Sequence, residues 1–366
     1  MRALYDAGFL RILQPKRYGG YGMGWGPNTR VARELAKVCP STAWIIAVVG
    51  MHSTVVARLP KRCQDAVWGT SEDMLISTGS AQTTGTIRKT AEGYRVAGTW
   101  RFASGVDHAP WVMVAGRVET EDGSAHPNAR VLFPKGEIEV VDTWYVEGMC
   151  GTGSKDINVP DVLVPEWRVE NAMRNFGANP PGAAVNDDYL CQVPFQPYFS
   201  NALFSVIVGS AEGAYMDYLE ITGVRKGAIF GNPIRELAHV QQRLAESSAE
   251  IKSAGLLYDW AVRLLHERGI ARSGLSASDS VELARDRAFI AKLCVGAVTR
   301  LVRQMGAMGL GDDNPVQRHY RDQLVMASQI GANWDHHGTA FGRHAFGLAA
   351  VTPGGGVTAA APAAKN

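Results

Sequence analysis

The chain is poor in the features that commit a protein to a specialised class. Five cysteines in 366 residues (Cys39, Cys63, Cys150, Cys191 and Cys294) stand far apart, with no C-x-x-C pair. That excludes a disulfide framework and a cysteine-based zinc site, and it suits free thiols in a reducing cytoplasm. Charge of one sign is also lacking: 37 Lys and Arg face 35 Asp and Glu, for a net charge of +2. The basic residues are scattered, so no nucleic-acid footprint is visible. No apolar run approaches the ~20 residues of a membrane span, and the longest, around Trp44 to Met51, reads as a buried helix segment. The N-terminus lacks a signal peptide's apolar core. There is no G-x-S-x-G elbow, no phosphate P-loop and no G-x-G-x-x-G at a strand-to-helix junction. Hydrolase chemistry and direct reduction by a nicotinamide cofactor therefore have no local support.

What is present falls into blocks. Residues 1–73 read as helices, with apolar stripes at Ala3, Leu4, Ala7 and Leu10 and at Val31, Leu35 and Val38. Residues 74–168 switch to period-two patterns, as in Gly93 to Phe102 and Trp111 to Val118, and read as a compact β unit. Residues 169–197 are rich in Gly, Pro and Asn and read as a long loop over a cleft. From 198 to 350 helical spacing returns. Val240, Leu244, Ser247, Ile251, Ala254 and Tyr258 mark one long helix, and Ile290 to Met305 and Val316 to Phe341 supply two more, as in a bundle. Residues 351–366 are of low complexity and read as a disordered tail. The fold class is mostly α with a central β-domain.

Several ordered motifs sit on this frame. Asp6-Ala-Gly-Phe-Leu10 through Tyr18-Gly-Gly20 leads in. Trp100-Arg-Phe-Ala-Ser104 ends a strand, and Gly148-Met-Cys-Gly-Thr-Gly-Ser154 makes a glycine-rich turn. Phe230-Gly-Asn-Pro-Ile234 with Gln241 comes after a helix. Near the end, Asn314-Pro-Val-Gln-Arg-His-Tyr-Arg-Asp322 runs into Gln329-Ile-Gly-Ala-Asn-Trp-Asp335. Together these resemble the acyl-CoA dehydrogenase superfamily. The resemblance implies N-terminal helices, a β-barrel-like middle domain and a C-terminal four-helix bundle. The helix that usually precedes the entry motif is largely absent, so the chain reads as beginning late.

In that superfamily a carboxylate nine residues past the Arg of R-D removes the substrate's α-proton. Counting from Arg321 lands on Ile330, which accepts no proton. The frame therefore looks like the branch that changed the chemistry, the oxygenase components of two-component flavin monooxygenases. The resemblance implies reduced FMN, with FAD as an alternative, delivered by a separate NAD(P)H-flavin reductase. It implies O2 addition to give a C4a-hydroperoxyflavin and hydroxylation of a phenolic or polycyclic aromatic substrate. It also implies a cytoplasmic homotetramer, with no nucleic acid and no membrane. Three alternatives stay open: an FAD-dependent acyl-CoA dehydrogenase with a base relocated to Asp217 or Glu220, an amino-sugar or heteroatom N- or S-oxygenase of the same fold, and a catalytically inactive structural member of a biosynthetic complex.

The same resemblance assigns Phe102, Ser104, Thr152, Ser154, Arg225, Phe230 and Gln304 to the flavin. Ser154 is expected at the flavin N5 and Arg225 at the flavin phosphate. Respacing of the Gln304-Met-Gly306 turn weakens an adenine contact and tilts the cofactor towards FMN. His52, His108, Trp144, Gln329 and Trp334 are expected on the substrate side. His52 or His337 would carry acid–base work, a histidine's ordinary pKa suiting neutral pH, and Gln329 stands where relatives place a histidine. A lone helical His is equally read as a satisfied structural residue, and Ser104 or the Gly148 turn as an ordinary β-turn. His239, His266 and His319 read as surface positions. His336 and His337 diverge by about 100° on a helix and are not a metal pair.

Overall fold

A computed structural model describes residues 1–79, 84–119, 125–227 and 231–349. The expectation placed on Phe230, and that for the tail 351–366, lie outside the described residues. Two compact units emerge, Met1–Val206 with Leu265–Gly274 and Ile207–Leu264 with the remainder.

The first unit opens with α1 (Arg2–Asp6), α2 (Trp25–Ala36), α3 (Pro40–Trp44), α4 (His52–Ala57) and α5 (Lys61–Trp68). Pro40 at the first position of α3 is pre-set for helix and needs no N–H partner there. A π-helical turn at Ile45–Val49 joins α3 to α4, closed by Gly50 N–H on Ile45 C=O at 2.9 Å. One added residue rotates the next helical segment by about 100°, and such turns recur at functional sites. Here it precedes His52. The 18-residue window Pro40–Ala57 is apolar enough to cross a membrane by composition, but 78% of it is buried. It is core, and the reading of Trp44 to Met51 as a buried segment agrees with that.

Eight strands come next among the described residues: β1 (Ile76–Gly79), β2 (Thr86–Thr90), β3 (Gly93–Ala103), β4 (Trp111–Glu119), β5 (Ala125–Pro134), β6 (Glu139–Val141), β7 (Lys155–Val164) and β8 (Val169–Asn171). They form one sheet in the order β6-β7-β3-β2-β4-β5-β8, with β1 parallel to β4. Ile87, Val96, Trp100, Val114, Val131, Phe133 and Ile157 make its apolar core. Trp100 is fully buried and its indole N–H donates to Ala115 C=O at 2.9 Å. A Cβ at Gly85 would lie 2.2 Å from that indole, so only glycine lets the strand pass.

Residues 169–197 are not the open loop that their composition suggests. They contain β8, α6 (Ala172–Phe176) and two short 3₁₀ turns. A buried cation explains the order. Arg58, fully buried, donates to the backbone carbonyls of Asn175, Gly177, Leu190 and Val193. Asn186 adds bonds to Ala57 C=O at 2.8 Å and Gln64 at 3.0 Å, and a Cβ at Gly182 would strike Ala57 C=O. Side-chain donors replace the missing ladder, which is why hydrophobic periodicity does not reveal the segment.

In the second unit, α7 (Gln196–Val224), α8 (Ala238–Ile270) and α9 (Ala277–Gln304) are long, and the unit boundary cuts α7 and α8. The expected single helix over 316–341 is two, α10 (Pro315–Ala327) and α11 (Trp334–Ala345). Gln329 and then Asn333 turn their side chains back to cap Gly331 N–H and His336 N–H, so local caps outcompete continuation through Gly331. Both α10 and α11 pack on α9. His319, read as a surface position, is fully buried, bonded to Ser210 at 3.0 Å and 3.5 Å from Asp217.

Replacing Arg58 by Met is expected to destabilise the protein by at least ~3 kcal/mol, because four buried carbonyls lose their donor. Urea unfolding tests this. A loss below about 1 kcal/mol would mean that the carbonyls find other partners.

Candidate active site

Two clusters of polar side chains lie in the first unit. The first joins the end of β3 to the turn before β7. Trp44 Nε1 donates to Ser104 Oγ at 3.2 Å, and Ser104 Oγ lies 2.7 Å from Ser154 Oγ. Ser154 Oγ lies 2.7 Å from Thr152 Oγ1, which donates to Met149 C=O at 2.9 Å. An indole N–H can only donate and a carbonyl can only accept, so both ends of the chain are fixed. Each hydroxyl has one proton. The direction therefore runs from Trp44 through Ser104 and Ser154 to Thr152 and Met149. Ser154 spends its proton on Thr152 and keeps one unused acceptor lone pair.

The backbone around this chain is unusual. Phe102 (φ 63°) and Met149 (φ 57°) hold left-handed conformations that non-glycine residues rarely adopt. A register shift between Trp100 and Ala103 accompanies the first. Phe102 stays 41% exposed and meets Trp144 edge-on at 6.2 Å, and Trp144 Nε1 donates to Met149 C=O at 3.0 Å. An aromatic pair thus flanks the hydroxyl chain. Beside it lies a cavity of about 410 Å³, lined by Thr42, Ile45, Gly105, His108 and the Gly151–Gly153 turn. His108 is exposed on that wall.

The second cluster surrounds His52. Its Nδ1 lies 2.7 Å from Ile76 C=O and its Nε2 lies 3.0 Å from Thr78 Oγ1. The carbonyl fixes the tautomer: Nδ1 carries the proton, and Nε2 accepts from the Thr78 hydroxyl. Phe199 stacks on the imidazole at 6.0 Å. Burial, with the Arg130 charge as a lesser cause, pushes the His52 pKa down to about 4. The expectation of a histidine titrating near neutrality therefore does not hold; the ring is a neutral acceptor. Sequence reasoning missed Thr78, since one threonine in a short strand carries no signal of its own. Ser77, on the opposite side of β1, donates to Ser104 C=O at 2.8 Å and links the two clusters.

In the second unit, Gln329 uses its Oε1 on Gly331 N–H at 2.7 Å, while its Nε2 is enclosed without a partner. Among the described residues that amide N–H has no acceptor, one residue before the position where a dehydrogenase has its base. His337 reaches Ile330 C=O at 3.3 Å, and burial, with Arg287 and His336 as lesser causes, lowers its pKa. Trp334 packs on Phe289 at 5.6 Å. Arg225 donates to Met305 C=O at 3.1 Å, leaving other guanidinium protons for an anion. Gln304 accepts from Tyr218 and donates to His239 C=O at 3.3 Å, which uses one acceptor site and one of its two amide protons. The relocated-base alternatives differ in setting: Asp217 faces buried His319, and Glu220 is exposed.

Comparison with known proteins gives the family. Residues 1–67 match the acyl-CoA dehydrogenase N-terminal domain and residues 202–334 the acyl-CoA dehydrogenase C-terminal domain. The pigment production hydroxylase of a Rhodococcus species is 31% identical over 96% of this chain and 89% of its own length. The oxygenase component of the FADH(2)-dependent resorcinol hydroxylase of a Rhizobium species is 32% identical over 94% of this chain and 87% of its own. The crystal structure of the HsaA monooxygenase from M. tuberculosis superposes with a TM-score of 0.88 at 30% identity, covering 96% of this chain and 90% of that one. The chain belongs to the acyl-CoA dehydrogenase superfamily, in its branch of flavin-dependent monooxygenase oxygenase components. It is an oxidoreductase that works with reduced flavin.

The His52 environment fixes a pH dependence. Its folded pKa of about 4 lies below the ordinary value of 6.5, so the folded state resists protonation that the unfolded chain accepts. This stabilisation is complete above about pH 6.5 and is lost as pH falls towards 4, by about 3 kcal/mol. His52→Gln should lack that slope in urea unfolding at stepped pH. Parallel profiles for the two proteins would contradict the buried neutral imidazole.

Proposed function

We propose that this oxygenase hydroxylates a phenolic aromatic ring, with reduced flavin held against the Trp44–Ser104–Ser154–Thr152 chain. One observation carries the reading: both ends of that chain are fixed, so Ser154 meets a ligand as an acceptor. Reduced flavin carries an N–H at N5, whereas oxidised flavin offers only a lone pair there. The residues fit the reduced form. Phe102 and Trp144 would flank the ring, and Ser104 and Thr152 would hold Ser154 in its role. Arg225 would take the phosphate.

Bound reduced flavin supplies the electron pair that activates dioxygen for transfer of one oxygen atom. The protein's own residues do the rest. Thr78 Oγ1 donates to His52 Nε2 and keeps lone pairs for a phenol O–H. A phenol proton can move onto Thr78 as the Thr78 proton moves onto His52 Nε2. Because the imidazole resists protonation, the proton returns readily once oxygen transfer is complete. Phe199 closes one side of this relay against water. Gln329 would be the donor towards a developing oxygen charge.

Without a nicotinamide motif the reduced flavin comes from a separate NAD(P)H-dependent reductase. The respaced turn after Gln304 supports FMN; the Rhizobium relative's dependence on FADH(2) supports FAD as the second reading. Free thiols on all five cysteines support a cytoplasmic enzyme, and a tetramer built through the bundle is the assembly we assign.

The test is turnover of phenols under ¹⁸O2 with reduced flavin supplied by a reductase. One labelled oxygen is expected in the product. Label entering from water, or oxidation of an acyl-CoA with no labelled product, would sink the reading. In the same assay Thr78→Val should lower the rate at least ~10-fold, as expected for one lost proton-transfer link; an unchanged rate would remove Thr78 from the relay.

A further inference from the structure

Among the described residues, Arg130 is a cation without an anion. It lies on β5, opposite Ala115 of β4 and Glu170 of β8. Directly opposed residues of antiparallel strands project from the same face, so Glu170 is the nearest natural counter-ion. No ion pair forms. The Glu170 carboxylate accepts Asn171 N–H at 3.0 Å and lies 3.8 Å from Arg174. The Arg130 guanidinium turns away and lies over the Phe176 ring, 4.1 Å from its centroid. Its Nε is enclosed and has no acceptor among the described residues.

Aromatic rings connect this cation to the substrate side. Phe176 packs edge-on against Phe199 at 5.5 Å, and Phe199 stacks on His52. Arg130 also sits near enough for its charge to help keep the His52 imidazole neutral. Burial lowers Arg130 itself to about 10, so it remains charged at neutral pH. Enclosing part of a guanidinium, here its Nε, with a ring face as its neighbour is costly, since cation–π attraction offsets only part of the lost hydration. A carboxylate arriving with a ligand would complete the fork geometry that arginine offers.

We propose that Arg130 anchors a carboxylate carried by the aromatic substrate, so that the enzyme prefers hydroxyaryl carboxylic acids to neutral phenols. The inference rests on the phenol reading above and narrows it to an anionic class. The hydroxyl goes to Thr78 and His52, the ring packs among Phe176 and Phe199, and the acid faces Arg130. Glu170, held by the Asn171 N–H, stays clear of the guanidinium.

Calorimetric titration with a panel of hydroxyaryl acids and their methyl esters, 3-(4-hydroxyphenyl)propionate among them, tests the assignment. At least one acid should bind ten-fold or more tightly than its ester. In Arg130→Gln that ratio should fall to near one while ester affinity stays constant, and Arg130→Lys should retain part of the preference. Equal affinities in the natural protein, or a preference that survives Arg130→Gln, would overturn the proposal. Should Arg130→Gln fail to fold, an undiminished preference in Arg130→Lys would also overturn it, because lysine lacks the fork. Esters hydroxylated as readily as acids would remove the anchor but leave the oxygenase intact. Panel-wide failure of both binding and hydroxylation would remove the phenol reading as well.

Discussion

The direction of one hydrogen-bond chain organises this site. It starts at an indole N–H that cannot accept and ends at a carbonyl that cannot donate, with three hydroxyls between them. The polarity of Ser154 is therefore set before any ligand arrives. Such preorganisation avoids reorienting dipoles when the ligand binds. The strained backbone at Phe102 and Met149 brings the strand end and the turn together closely enough for the chain to close. The packed sheet core behind Trp100 holds those conformations in place.

The second cluster repeats this logic with a different base. Ile76 C=O fixes which nitrogen of His52 carries the proton, and Thr78 supplies the hydroxyl. A single strand, β1, serves both clusters: Thr78 faces the imidazole while Ser77 ties Ser104. In the proposed function, flavin polarity and substrate protonation would then rest on two successive residues pointing opposite ways. The buried Arg58, which orders residues 175–193 through their carbonyls, keeps the neighbouring layer of Phe176 and Phe195 in register.

Much of this was legible in the sequence, and the illegible part has physical causes. Period-two and helical spacing report burial, so helices, strands and a terminal bundle could be read. Motif order placed Ser104, Thr152 and Ser154 on segments that the fold does bring into contact. Ile330 at the dehydrogenase base position directed attention from proton abstraction to oxygen chemistry. What failed were features carried by polar side chains acting on distant backbone. Arg58 orders a Gly- and Pro-rich stretch that has no periodicity, so it read as loop. Gln329 and Asn333 cap and break a helix that spacing alone would continue. His319 and the depressed pKa of His52 depend on burial, which a single polar letter does not disclose. Thr78 and Arg130 matter only through neighbours more than 20 residues away.

The central claim is that a preset acceptor at Ser154 selects reduced over oxidised flavin. Anaerobic titration of the natural protein and of Ser154→Ala with both redox forms of the flavin tests it most directly. The account predicts that the natural protein binds the reduced form more tightly, and that Ser154→Ala loses about 3- to 10-fold in reduced-flavin affinity, the worth of one such bond, with little change for the oxidised form. Equal losses for both forms, or none for either, would contradict it.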